Sequence, residues 1–472
     1  MVVDHLPNPI EAQKYRIKKI WDGDIDSEVG KAMINCDPNG PLIICLSKVQ
    51  AGKHGLVATG RIFSGKCGKR REIFLLRENN YNTIHRIAIF MGQRREQVDE
   101  IPVGNIVAIE GLKEIKSGET IIEPEFLDKM VPFENVKYVS TPVVTVSVES
   151  QNLRELDKMK EIIENLLIED PNLKFEINEE NGEFLLSGVG PFHLEISANE
   201  IEKRGVKVSI SEPRPVFKES CRSQSTEIKV ISPDNQNSLE LKIERLNEGT
   251  LKFFRNHDYK AFKPPERLRT ALKENTNLSN SEINNFWNCD DNQNILIYQG
   301  INDLDDVLKS LIIKIVKKIA LNGPLCGEKL TELKIVVKNL NIVNIDESTA
   351  FTGLSVLFYD AIKKALDEAE LILMEPIYRT IIQLPPDYIK SALSLLTKYS
   401  AKIKDVNQEN DYQAIIEILL PVRNSIKFAE DVRSISSGRA FWQNDFYGFM
   451  KVPVHESDRI INNLRFLKGL SW

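Results

Sequence analysis

Asp346 and Glu347 are adjacent carboxylates in a polar stretch, NLNIVNIDESTAFTG at 339–353. Neighbouring carboxylates can split their proton affinities, one staying protonated while the other ionises, which is the raw material of acid–base chemistry. No histidine, lysine or metal-ligand set accompanies them, and a solvated acidic turn is the commoner use of such a pair. Phosphate chemistry fares no better. A phosphate-binding loop needs G-x-x-x-x-G-K-[ST], with the lysine reaching the phosphates and the hydroxyl reaching magnesium. The nearest match, Gly55 to Gly60 followed by Arg61 and Ile62, lacks both groups and lies inside a strand pattern. Asp37-Pro38-Asn39-Gly40 has D-x-x-G spacing but is a turn sequence. The six histidines include no H-x-x-x-H pair. His193, opening a helix in GPFHLE, reads as a structural hydrogen-bonding residue. The six cysteines form no C-x-x-C, so they read as small buried residues of a reducing cytoplasm. The residues therefore point to a chain without catalytic constellation, cofactor or metal.

The elements that must carry these residues follow from periodicity. Lys+Arg 62 against Asp+Glu 68 gives a net charge of −6, which does not fit a free-standing RNA-coating protein. No secretory leader or membrane-spanning run is present, because the most apolar stretch, SLIIKIVKKIAL, is broken by lysines. Residues 1–136 read as all-β: short apolar runs between Gly and Asn turns predict a closed β-barrel. Segment 61–100 holds nine Lys/Arg against five Asp/Glu. Lys66, Lys69, Arg70 and Arg71 cluster there as a candidate phosphate-facing side, with a plain solvated face as the alternative.

Residues 137–212 follow the order β-α-β-β-α-β, the split βαβ pattern. Asn152 with Glu155 predicts a capping box, Pro191 a helix start, and Asn181-Gly182 a hairpin turn. The same order returns over 374–456, and 457–472 forms a short amphipathic helix. Between the two lies a tip-bearing α/β domain, 213–373, whose strand LKIVVKNLNIV leads into the 339–353 stretch. A helix is expected to begin near Leu354, leaving a loop of about a dozen residues, and loops on rigid supports are where function concentrates. The fold class is thus multidomain α+β: a β-barrel, then two ferredoxin-like domains flanking a tip-bearing α/β domain.

These segments together resemble the archaeal and eukaryotic elongation factor two family, the ribosomal translocases, most closely the archaeal form. The likeness runs through NCDPNGPL, LVATGRIFSG, LSGVGPFHLE, EPRPVFKES, NGPLCGEKL, LMEPIYR, DVRSISSGRAFW and RFLKGL. It implies the same domain types, a cytoplasmic setting and a ribosomal partner, contacted through rRNA and ribosomal proteins. The family's GTPase domain precedes the barrel, and this chain begins near where that domain would end, as a diverged, GTPase-lacking paralogue would. Two departures matter. Pro191 and Phe192 replace Glu-Leu in the family's G-x-G-E-L-H-L-E. At the tip, the diphthamide histidine falls on Ser348, the next arginine on Thr349, and the glycines on Ala350, Phe351 and Thr352. The resemblance places Arg433 and Arg439, in DVRSISSGRAFW, beside the barrel's basic residues as candidate rRNA contacts.

Three readings follow. One is a ribosome-binding factor at the translocase site that lacks a GTPase, with a regulatory, idle-ribosome or assembly role. The second is an elongation-factor module served by a GTPase partner in trans. The third is a non-ribosomal interaction scaffold that uses Phe351 on an exposed loop as its anchor. In each, the tip residues Asp346, Glu347, Ser348, Thr349, Ala350 and Phe351 form the contact, and no membrane is involved.

Overall fold

Short apolar runs separated by turn residues make antiparallel sheet, and the computed structural model begins that way. It describes residues 5–470 except 53–54, 93, 134–140, 178–181, 234–235, 258, 260–264, 302–303 and 343–346; at 153, 255–256, 265 and 347–350 it describes the backbone alone. The chain forms two compact units, Met1–Pro213 and Arg214–Trp472.

In the first unit eight strands follow the spatial order Asn80–Thr83, Glu72–Leu75, Thr120–Ile122, Ile43–Gly52, Gly55–Ser64, Ile106–Glu110, Arg86–Met91 and Arg94–Val98. Every ladder in this path is antiparallel. The inward side chains of alternate positions, among them Leu42, Ile44, Leu46, Ile62, Ile73, Ile87 and Ile109, make one dry core. The path stays open among the described residues, a correction to the closed barrel expected. Its end strands are the polar NYNT and RREQV, mostly exposed, and they offer no apolar face to close on.

A second correction concerns the start of the chain, which is helical and not all-β. Pro9–Ile20 and Glu28–Ile34 are helices, capped by Asn8 Oδ1 on the Glu11 N–H and by Ser27 Oγ on the Gly30 N–H, each at 3.0 Å. They bury Ile17, Trp21, Val29 and Met33 against Phe63, Phe74 and Phe133 on the outside of the sheet.

The rest of the unit has strand order Lys174–Ile177, Phe184–Gly188, Val144–Ser150, Val208–Ile210, with helices Leu156–Glu169 and Pro191–Lys203. Numbered along the chain this is 2-3-1-4, the split βαβ arrangement. Pro191 opens its helix as expected. The expected capping box does not form: 153–155 is a 3-10 turn, and Asn152 Oδ1 instead accepts from the Arg154 N–H at 3.2 Å. Asn181 of the hairpin turn lies outside the described residues. His193 is fastened on both ring nitrogens. Its Nδ1 accepts from the Val189 N–H (3.2 Å), so Nε2 donates to Asp170 Oδ2 at 2.7 Å, as the structural reading of this histidine requires.

In the second unit, Ile228–Ile231, Ser238–Arg245, Leu333–Asn341, Ile295–Tyr298 and Phe286–Cys289 form one sheet. Ile295–Tyr298 runs parallel to Leu333–Asn341, and the helix Asp306–Ile319 makes the crossover. That helix and Glu347–Glu368 cover one face with Ile312, Ile315, Leu357, Phe358, Ala361 and Leu366. A second sheet is built on the long strand Leu371–Leu384. Its neighbours are Lys218–Cys221 and Ala414–Pro421 at different heights on one side, the latter followed by Lys402–Gln408, and Phe441–Lys451 on the other. Leu371–Leu384, Lys402–Gln408, Ala414–Pro421 and Phe441–Lys451 repeat the 2-3-1-4 order of the first unit. Helices Ile389–Lys398 and Val422–Ile435 cover one face through Ala392, Leu396, Phe428 and Val432.

Glu219 joins the two halves of this unit. It is fully buried and accepts the N–H groups of Leu325, Cys326 and Glu328 at 2.8–2.9 Å, folding the GPLCGE loop around its carboxylate. A Cβ at Gly323 would sit 2.2 Å from that carboxylate, so only glycine fits there.

Candidate functional site

The tip is helical where a loop was expected. The strand ends at Asn341 and the helix Glu347–Glu368 begins six residues later, so the connection is five residues and not a dozen. Asp346 lies outside the described residues. Glu347, Ser348, Thr349, Ala350 and Phe351 form the helix's first turns. The physical reason is in the sequence: acidic and small hydroxyl residues suit a helix N-terminus, whose unpaired N–H groups carry partial positive charge. The family's glycines would have lowered helix propensity there; Ala350 and Phe351 raise it. Phe351 is 37% exposed, and Lys318 Nζ lies 5.6 Å from its ring centroid, within cation–π range. Lys318 belongs to the run SLIIKIVKKIAL, and its role could not be read from the run's apolar spacing. So Phe351 sits on a helix with a cation already over its ring, not on a free loop.

The basic segment of the first unit is less free than its composition suggests. Lys66 lies 3.5 Å from Glu100, and Lys69 lies 2.7 Å from Asp99. The Lys69 ammonium holds the Asp99 carboxyl below the usual carboxylate range, chiefly by their hydrogen bond. Arg71 pairs with Glu123 and also donates to the Lys66 carbonyl at 2.6 Å, so it fastens the turn. Arg70 is exposed, has φ +58° and makes no ion pair among the described residues. Asp99 and Glu100, distant in sequence from Lys69 and Lys66, neutralise them across the fold, a pairing that a net count over 61–100 does not show. Exposed ion pairs contribute little, so a phosphate can displace Asp99 from Lys69 at small cost. Arg70 and Lys69 are therefore the contacts this turn can offer, and Arg71 the residue that shapes it.

In the second unit, Arg433 and Arg439 share one turn. The helix Val422–Ile435 ends with Ser437 at φ +51° and Gly438 at φ +76°, and the Gly438 N–H returns to the Arg433 carbonyl at 2.8 Å. Buried Ser436 pins the turn by accepting from the Ala440 N–H (3.1 Å) and donating to the Val432 carbonyl (2.7 Å). Arg433 and Arg439 both stand exposed, and the Arg433 guanidinium is 5.4 Å from the Trp442 ring. The turn thus presents two cations from a rigid base.

Among the described residues no group of three His, Cys, Asp or Glu side chains is disposed to hold a metal ion. Burial pushes the Cys67 thiol up to about 12 and those of Cys45 and Cys221 up to about 11. Among the described residues no helix is long and apolar enough to cross a membrane.

Comparison with known proteins assigns these parts. Residues 55–122 match elongation factor Tu domain 2, 139–212 match elongation factor G domain III, and 372–460 match the elongation factor G C-terminus. Elongation factor 2 of Aeropyrum pernix is 38% identical over 477 residues, covering 100% of this chain and 64% of its own length. Those of Sulfurisphaera tokodaii and Methanocaldococcus jannaschii are 38% and 37% identical, covering 99% and 100% of the chain and 64% and 65% of their own lengths. The chain spans about 64% of the length of the curated relatives it matches. Along its whole length, then, the chain is homologous to elongation factor 2, and three of its segments match elongation-factor domains.

Proposed function

We propose that the chain acts in translation as a ribosome-binding factor that occupies the translocase's site without nucleotide chemistry of its own. The observation that carries this reading is homology to elongation factor 2 over the entire 472 residues. A chain that keeps every one of these domains keeps the surfaces with which such a factor docks. The two-arginine turn at Arg433 and Arg439 and the exposed Lys69 and Arg70 supply cations for rRNA phosphates. No segment of the 472 residues has a phosphate-binding loop, so the reading gives these residues docking and not nucleotide turnover.

The tip keeps its position and changes its chemistry. Ser348 and Thr349 stand where the family has a modifiable histidine and an arginine, so these two positions bring no cation to RNA, and the cation beside the tip is Lys318 over the Phe351 ring. A factor of this kind occupies the site in a regulatory, idle-ribosome or assembly role and does not drive translocation. The test is co-sedimentation of the whole chain with ribosomes through a sucrose cushion. Retention at about 50 mM salt, declining steeply by about 200 mM, is expected; absence of binding at the lower salt sinks the proposal.

A further inference from the structure

Lys402, Lys404 and Lys451 line one cleft of about 370 Å³ in the second unit, and among the described residues none of the three side chains makes an ion pair or a hydrogen bond. The cleft lies on the sheet face opposite the two helices. Ile418 and Leu420 point into the helix-covered core, so Leu419 between them points to the cleft, and Lys402 is its register partner. The facing wall is the end of strand Ser238–Arg245 with Glu248 and Glu332.

Charge and ring content narrow what fits. Four cations face two carboxylates, and one of the two is already matched: buried Glu332 holds Arg245 at 2.7 and 3.2 Å. The lining therefore carries more positive than negative charge, although Glu417, already held by Arg379, also acts on Lys404. Its floor has two rings. Phe449 already has the Lys218 ammonium 4.5 Å from its centroid. Tyr447 is 47% exposed and makes no ring contact or hydrogen bond among the described residues. Lysines alone would suit any anion. Lysines around an exposed ring on a sheet face suit a ligand with both a phosphate and a flat base. The volume is at the low end of the roughly 300–1,000 Å³ of small-ligand sites, so it takes one such group and not a folded segment.

We propose that this cleft binds a nucleotide, with its phosphate held by Lys402, Lys404 and Lys451 and its base stacked on Tyr447. It rests on the ribosome reading only for the source, an unpaired stretch of RNA; the chemistry rests on the cleft.

The test is fluorescence anisotropy of a labelled single-stranded RNA, roughly a dozen nucleotides long, with the full chain. K402A/K404A/K451A is expected to weaken binding by about tenfold or more and to flatten the salt dependence. Tyr447→Ala is expected to weaken it by about fivefold or more with the salt slope unchanged. The arginine triple K402R/K404R/K451R keeps the slope, which separates charge loss from misfolding, and far-UV circular dichroism checks each variant. Displacement of the RNA by AMP or GMP at comparable concentration assigns the site to free nucleotide; failure to displace assigns it to the strand. Unchanged affinity and slope in the alanine triple overturn the proposal. So does a neutral Tyr447→Ala combined with displacement by polyglutamate. RNA binding through the cleft by a chain that fails to sediment with ribosomes contradicts the ribosome reading alone.

Discussion

Glu219 concentrates the physics of the second unit in one side chain. A carboxylate with no solvent and three backbone donors satisfies groups that nothing else in the GPLCGE loop can reach. Glu219→Ala leaves three buried N–H groups unpaired and is expected to cost about 3 kcal/mol or more in urea unfolding, at about 1–3 kcal/mol per orphaned group after relaxation. Glu219→Gln, which turns one acceptor into a donor facing an N–H, costs less but is still destabilising. The sequence marks the EPRPVFKES and NGPLCGEKL motifs but not that the first threads the second, since 106 residues separate Glu219 from Leu325. Asp170 gives the pH dependence. The hydrogen bond from His193 is the main cause holding its carboxyl below the usual range, against partial desolvation. A depressed carboxylate stabilises the fold above its unfolded value of about 3.9, and that contribution is lost as pH falls through the folded value. Asp170→Asn should therefore be less stable than the parent at pH 7, with the difference shrinking toward about pH 3; a deficit independent of pH contradicts this assignment.

At the scale of elements, strongly periodic segments were legible and polar ones were not. The strand Leu333–Asn341 and the helix Asp306–Ile319 alternate or repeat apolar residues at the right period, and both stand where periodicity puts them. NYNT and RREQV are strands because neighbouring strands pair with them, a tertiary cause with no apolar signature. The N-terminal helices did carry a signal, Asn8 before Pro9 and Ser27 before Glu28, which the β-rich context outweighed. The tip was misread for a related reason. Gly353 and the run of polar residues look like a loop, yet Gly353 lies inside a helix where an added Cβ would meet nothing within 4 Å. Gly353→Ala is therefore expected to stabilise the tip helix by about 0.5–1 kcal/mol, seen as slower amide exchange over its first turns. Faster exchange would show that these residues do not hold a helix in solution.

For the whole molecule, the C-terminal helix Val454–Leu467 holds the second unit together. Arg423 links buried Glu375, at 2.6 Å, to Glu456 on this helix, and the helix covers Phe217, Cys326, Leu373 and Val452 with Ile460, Ile461 and Leu464. Beyond it Lys468 reaches Glu328 at 2.8 Å, on the loop that Glu219 folds. Arg423→Ala strands a buried carboxylate and is expected to cost about 3–5 kcal/mol, measured by thermal unfolding; a loss under about 1 kcal/mol would place the helix's hold elsewhere. Such a unit presents the turn of Arg433 and Arg439 on a fixed base, as docking on a ribosome demands. Competition with elongation factor 2 tests whether the chain occupies the translocase's site. Ribosomes carrying labelled elongation factor 2 are titrated with the chain, and both proteins are quantified in the pellet. The account predicts that one is displaced as the other binds, whereas both proteins sedimenting together on the same ribosomes would contradict it.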